Sequence, residues 1–312
     1  RYPGKLYAAR LYQQLISPLH AYLVPVKRLV IIPDDELHYL PFEALEDAEG
    51  RYLLQQYAVQ YQYSTALLGK NKLQQPVAAV LSFAPFASQG YLDSANSLSS
   101  LPASANEIRD INSRMMTDKA ATRQEFLQLA NHFNVVHLAT HAFADNSNPE
   151  LSYISFYPGN EASKLYAREI YDMQLDTTSL VILSACETGA GKLVKGEGLM
   201  SLSRAFAYAG CPSIITSLWK AEDNTTAFIT QRLHYYLGKN ETKDKALQLA
   251  KLDLLKEPNT DPRYRTPNYW AHLVLIGEYH SDHKRSNWPY VAISIMIILL
   301  GYYYFKTRRK RS

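Results

Sequence analysis

Two segments of this 312-residue chain carry side chains suited to attack on a carbonyl. One is HLATHA, residues 137–142, and the other is LSACETGAG, residues 183–191. Each ends a run that reads as a strand, residues 134–140 and 180–183, the second apolar on both faces. In open α/β sheets, reacting groups collect beyond the carboxyl ends of the strands. His141 and Cys186 therefore stand where a base and a thiol nucleophile belong. Such a nucleophile needs a group that favours the thiolate, donors for the oxyanion and an acid for the leaving group. If the two strands are parallel neighbours, about 4.8 Å apart, His141 and Cys186 face each other across a scissile bond. The backbone N–H groups of Ala142 and Cys186 then become candidate oxyanion donors. Ser184, Ala185, Gly189 and Gly191 are small and leave space for a substrate backbone.

Plainer readings compete. A buried cysteine is most often a small hydrophobe, and a histidine at a strand end is often a satisfied polar group. Cys211 opens the strand after Cys186, at the opposite end of a parallel sheet, and reads as core. Parallel strands would hold the two thiols beyond the roughly 7 Å limit for a disulfide. His137 lies on the same face as His141 and packs below the site. The glycine-rich loop also suggests a phosphate cradle, but Cys186 stands where a P-loop needs Gly and Leu193 where it needs Ser or Thr. Nucleotide binding is thus a weaker alternative. No GxSxG elbow, CxxC or HExxH occurs, and no metal or organic cofactor is indicated. The net charge of +4 is concentrated in the last seven residues, leaving no electrostatic footprint for nucleic acid.

The elements that must position these residues alternate along the chain. Helical spacing covers residues 5–16, with Pro18 as a stop, and strands are expected over 28–32 and 52–63. A short helix is expected from Ser64 to Leu68, then a buried strand over 77–83 and a Ser/Ala/Pro-rich loop over 84–100. Helices follow over 103–113 and from the Thr122–Glu125 capping box. Strands are expected over 134–140 and 151–157, a short helix or turn over 168–173 and a helix over 199–209 that stops at Gly210. A strand over 212–219 leads to a helix capped by Asp223. Thr242 caps the next, with Ala246, Leu249 and Leu252 inward, and 269–277 is the last strand. This alternation predicts a three-layer α/β domain with a mostly parallel sheet.

Residues 288–305 (WPYVAISIMIILLGYYYF) carry no charge and have aromatic residues at both ends and a basic flank. A run of this length just reaches the roughly 17–25 residues of a membrane span. The expected organisation is a domain over 1–280 (an N-terminal part, 1–73, and a core, 74–280), a linker over 281–287, a transmembrane helix over 288–305 and a basic tail over 306–312. Five basic residues follow the span and two precede it, Lys284 and Arg285. That balance predicts a single-pass protein with a cytoplasmic C-terminus and the domain outside, in the periplasm, with a cytoplasmic domain as the alternative. The chain opens on Arg1 rather than Met, which predicts an upstream segment and, with this topology, a signal peptide there.

HLATHA, then LSACETGAG with its cysteine 45 positions after His141, then GEGLMSLSRAFAYAG (196–210) and SLW (217–219) closely resemble the CHAT domain. RLVIIPDDELHYLPFEAL (28–45), LPASANEI (101–108) and YWAHLVLIG (269–277) extend the resemblance over nearly all of residues 1–280. That family belongs with the caspase- and separase-like cysteine peptidases. The resemblance implies a caspase-like sheet, with His141 as general base and acid and Cys186 as the nucleophile in an endopeptidase acting on protein or peptide. Ala142 departs from the Gly that often follows the catalytic His. Asp223, or else Glu187, would read a basic side chain before the cut. Upstream tetratricopeptide repeats would supply a regulatory partner. A catalytically weak scaffold at the membrane is the other outcome the family allows.

Overall fold

In the computed structural model the branched aliphatic runs assemble into one eight-stranded sheet with helices packed on both faces. The structure describes residues 4–65, 79–88, 98–109, 113–145, 147–184, 198–219 and 222–278. The strands are β1 (Arg28–Ile31), β2 (Ala58–Tyr61), β3 (Val80–Ala84), β4 (Ser113–Thr117), β5 (Val135–Leu138), β6 (Ala142–Phe143), β7 (Tyr153–Ser155), β8 (Lys164–Tyr166), β9 (Leu180–Leu183), β10 (Ser213–Ser217) and β11 (Leu273–Gly277). The helices are α1 (Gly4–Leu15), α2 (His20–Leu23), α3 (Pro102–Glu107), α4 (Arg123–Leu129), α5 (Ala167–Ile170), α6 (Gly198–Tyr208), α7 (Asp223–Gly238) and α8 (Lys243–Lys256).

The main sheet runs β1-β2-β11-β10-β9-β5-β3-β4, and every pairing is parallel except β10 with β11. Successive residues of a strand point to opposite faces, and the core divides accordingly. Val136, Leu138, Val181 and Leu183 pack with Phe126 of α4 and Leu202 and Phe206 of α6. Val135, Leu180 and Ile182 pack with Leu233 of α7 and Leu247 and Leu254 of α8. Each central strand is therefore buried along its whole length, and β9 is apolar throughout, as a sheet covered on both sides favours.

Several local expectations change. The strand expected over 52–63 begins only at Ala58, because the Gln55 side chain accepts from the Tyr52 N–H at 2.8 Å and closes a turn first. The helix expected over 103–113 is α3, which ends at Glu107. β4 went unforeseen: it is an edge strand, partly exposed throughout, with no alternation to betray it. The expected strand over 151–157 is β7, and it leaves the main sheet for a separate antiparallel one, β6-β7-β8. On α8 the buried residues are Lys243, Asp244, Ala246, Leu247, Gln248, Ala250, Lys251 and Leu254, while Leu249 and Leu252 are half-buried. Gly210 does end α6, at φ +105°, where a Cβ would meet Asp176 Oδ1 at 2.7 Å.

By contact density the chain divides into two units, Arg1–Tyr279 and His280–Ser312. The second unit, with the linker, the expected span over 288–305 and the basic tail, lies outside the described residues, as does most of the expected helix from Ser64. Among the described residues no helix is long and apolar enough to cross a membrane.

The N-terminal strands extend the main sheet through β2 and β11, and α8 is bound to them by buried ions. Lys251 Nζ donates to Glu43 Oε1 at 2.7 Å and to the Leu273 carbonyl at 2.6 Å. Tyr61 donates to the other Glu43 oxygen at 2.6 Å. Arg28 Nε lies 2.9 Å from Asp244 Oδ2, and its guanidinium also donates to Thr242, whose hydroxyl makes no capping bond to the helix. Removing one member of a buried pair strands the other charge, at a cost of about 3–5 kcal/mol. Lys251→Met should therefore lose stability on that scale in urea titrations. Adding Glu43→Gln should recover part of it. A loss below about 1 kcal/mol for the single variant would show that the pair is not what joins these segments.

Candidate active site

The pairing of β5 with β9 sets the geometry. Leu138 stands opposite Leu183 in a parallel ladder, so both chains leave the sheet at the same end. His141 lies three residues past Leu138 and is 1% exposed. Its Nε2 is 2.8 Å from the Ser99 carbonyl. A carbonyl only accepts, so that nitrogen carries the proton in the neutral ring and Nδ1 is the basic one. Phe86 and Phe143 flank the ring, with centroids at 5.1 and 6.4 Å. Thr140 anchors the turn by donating to the Ser155 carbonyl at 2.5 Å.

Ala142 begins β6, opposite Ile154 of β7. The Ser155 N–H donates to the His141 carbonyl at 2.9 Å, which makes 141 and 155 a hydrogen-bonded pair. Antiparallel ladders alternate, so Ala142 and Ile154 form the next, non-bonded pair. The Ala142 N–H therefore points away from β7.

Beneath His141 lies a buried polar cluster drawn from four elements. His137 of β5 places Nε2 3.3 Å from Ser184 Oγ, at the end of β9, and 3.4 Å from Glu107 Oε2 of α3. Its Nδ1 is 3.0 Å from Nε2 of His234 on α7, and the two rings stack. Burial pushes the Glu107 carboxyl up to about 8, against a smaller downward pull from the Ser184 hydroxyl. Burial pushes His137 down to about 3. His234 falls well below its ordinary range through burial and the neighbouring His137. At neutral pH the cluster is thus an uncharged network, with the proton kept on the carboxyl. His137 is buried on β5 four residues before His141, whereas Glu107, His234 and Ser99 carry no sequence signature of their contacts with these histidines. A histidine on the buried stripe of α7 was the one signal available for His234.

Asp223 is the first residue of α7 and is exposed, beyond the carboxyl end of β10, the neighbour of β9. It does not cap the helix as expected: Glu222 does, accepting from the Thr225 N–H at 2.8 Å, because its longer side chain reaches back to the first turn. Cys211 is buried, donates to the Ser213 carbonyl, and has its thiol pushed up to about 11 by burial, which makes it a core residue. Cys186, its N–H and Glu187 lie outside the described residues. No group of three or more metal-ligating residues occurs among the described residues.

The chain thus has a mostly parallel sheet covered on both faces, with a histidine just beyond the end of a central strand. The profile of the CHAT domain matches residues 5–278, and the chain belongs to that family. Separase in the Saccharomyces cerevisiae separase–securin complex is similar in fold, with a TM-score of 0.52 at 15% identity over 81% of this chain. A second structure of that complex gives 0.51 at 14% identity over the same share. This chain spans only 15% and 16% of those separase chains. The Arg-specific cysteine proteinase gingipain R aligns over 88% of this chain and 66% of its own, at 9% identity and a TM-score of 0.49. No curated protein sequence matches the chain.

The buried cluster predicts a pH dependence of stability. His137, held near 3, and His234 leave the unfolded chain to bind protons below the ordinary histidine value of 6.5, so their contribution is complete above it and lost as pH falls. His272, also held near 3 by burial, behaves alike. Glu107 runs the other way. Between its ordinary 4.5 and about 8 the folded state holds a proton that the unfolded chain has released, so stability falls as pH rises. Between pH 6.5 and 8 Glu107 is the member of the cluster that still titrates. Relative to Glu107→Gln, the natural protein should lose on the order of 1–2 kcal/mol across that window in denaturant titrations. Parallel curves for the two proteins would show that Glu107 is not held neutral.

Proposed function

We propose that this protein is a membrane-anchored cysteine endopeptidase in which Cys186 is the nucleophile and His141 the general base and acid. The observation that carries the reading is the β5–β9 register: His141 follows Leu138 by three positions and Cys186 follows Leu183 by the same three. Two peptide units separate Cys186 from Ser184, which keeps the two Cα atoms within about 7.6 Å. The Ser99 carbonyl, on Nε2 of His141, supports Nδ1 as the base. In the first step the imidazole takes the thiol proton and the thiolate attacks the peptide carbonyl. The outward N–H of Ala142, with that of Cys186, stabilises the oxyanion. The C–N bond then breaks as His141 returns the proton to the leaving amine. Water, activated by the same ring, hydrolyses the thioester and restores the thiol.

Asp223, exposed beyond β10, is the proposed acid for a basic side chain before the cut, with Glu187 the second candidate. Residues 288–305 supply the anchor in this reading, on their uncharged length and aromatic ends. The flanking charges support a cytoplasmic C-terminus and a periplasmic domain. Separase is seen in complex with securin, and a regulatory protein partner, meeting an upstream region, is proposed here by analogy.

Cleavage of a peptide library by the full chain should sediment with membranes and disappear in Cys186→Ala. Lys or Arg before the cut, lost on Asp223→Ala, would support the pocket, and an apolar preference there would refute it. Undiminished cleavage by Cys186→Ala would overturn the thiol mechanism. An intact fold that cleaves nothing would favour a membrane-bound scaffold instead.

A further inference from the structure

The small sheet β6-β7-β8 has two unlike faces. The cross-strand row Ala142–Ile154–Leu165 is fully buried against the core. The adjacent row, on the opposite face, is Phe143–Tyr153–Tyr166, with Phe143 opposite Tyr153 and Tyr153 opposite Tyr166. These three rings are each only half-buried. Phe143 stacks on Tyr153 at 4.8 Å, and Tyr153 meets Tyr166 at 5.5 Å. The row starts at the candidate base, since Phe143 lies 6.4 Å from the His141 ring.

The far end of the row is held in place. Lys164 Nζ sits 4.7 Å over Tyr153 and is itself paired with Glu161 at 2.6 Å. The Arg168 guanidinium lies 5.0 Å over Tyr166. These rings have therefore lost most of their freedom before any ligand arrives, and a preordered surface binds at lower entropic cost. Cross-strand aromatic pairs stabilise a sheet; this row also reaches the buried imidazole of His141.

We infer that this aromatic row is a subsite that receives an aromatic side chain of the substrate polypeptide, two residues from the scissile bond. The inference rests on the peptidase reading above. An extended chain advances about 3.3 Å per residue with side chains alternating in direction. The second residue from the cut thus lies about 7 Å from the reacting carbonyl, comparable to the 6.4 Å between the His141 and Phe143 rings. A Phe, Tyr or Trp there meets Phe143 and Tyr153 in the offset or edge-on contacts that aromatic pairs prefer.

The test is a peptide library randomised around the cut, digested by the full chain and read by mass spectrometry. Aromatic residues should be favoured about ten-fold over Ala at the second position on one side of the cut. That ratio should fall to about one in Phe143→Ala and Tyr153→Ala and persist in Tyr235→Ala, which alters an exposed tyrosine on α7. No selection at that position, or selection unchanged in both variants, would overturn the subsite. Should the full chain cleave nothing, the peptidase reading fails, and affinity selection of the same library on Cys186→Ala decides the subsite alone. An aromatic-enriched pool that is lost with Tyr153→Ala would support it, and a pool with the input composition would overturn it.

Discussion

The site depends on one backbone constraint, the parallel pairing of β5 with β9 at the centre of the sheet. Parallel neighbours leave a sheet at the same end, so two segments far apart in sequence are delivered side by side. Apart from His137, the residues that make this pairing are aliphatic. They are buried on both faces, and a shift of one residue would turn each side chain into the wrong layer. Core packing thereby fixes the register, and the register fixes where His141 emerges relative to the chain that leads to Cys186. The antiparallel β10–β11 pair lets the N-terminal strands join the same sheet through β2. The first 60 residues consequently help build the sheet that presents the site.

Buried polar groups surround this apolar centre, and they act through the penalty for losing a partner rather than through net attraction. Lys251 and Glu43 sit at the seam between α8 and the N-terminal strands, each almost wholly removed from water. The Glu107–His137–His234 cluster sits where α3, β5 and α7 meet, and Ser184 brings in the end of β9. The first is an ion pair. The second stays uncharged because burial shifts acid and base in opposite directions. Both favour a single arrangement of the elements they join, because most misalignments leave a polar group unbonded. The second ties β5, four residues before His141, to the end of β9 through the His137–Ser184 contact.

Much of the architecture was legible because it follows from period and punctuation. The apolar runs of β5, β9 and β10, the stripe and glycine stop of α6 and the Thr122 cap of α4 all signal locally. The elements that escaped have no local signal. β4 is an edge strand exposed on both faces, and β6 and β8 are two and three residues long. Aspartate favours the cap position, yet Glu222, one residue before Asp223, accepts from the Thr225 N–H. The position of His141 and Ala142 just past the end of β5 is legible from a strand end followed by a turn. The Ser99 carbonyl was not, since any residue type supplies one. Glu107 and His234 were hidden likewise: each reads as an ordinary helix residue, and only tertiary packing turns them toward His137.

The claim on which this account rests is that His141 and Cys186 act on one another. The most direct test is the pH dependence of alkylation by iodoacetamide in the full chain, mapped to Cys186 by mass spectrometry, with buried Cys211 as the internal reference. The account predicts that Cys186 reacts well below the ordinary thiol range of about 8.5 and that His141→Ala moves its profile back towards that value. A Cys186 profile already ordinary in the natural protein, and unchanged by the substitution, would contradict it.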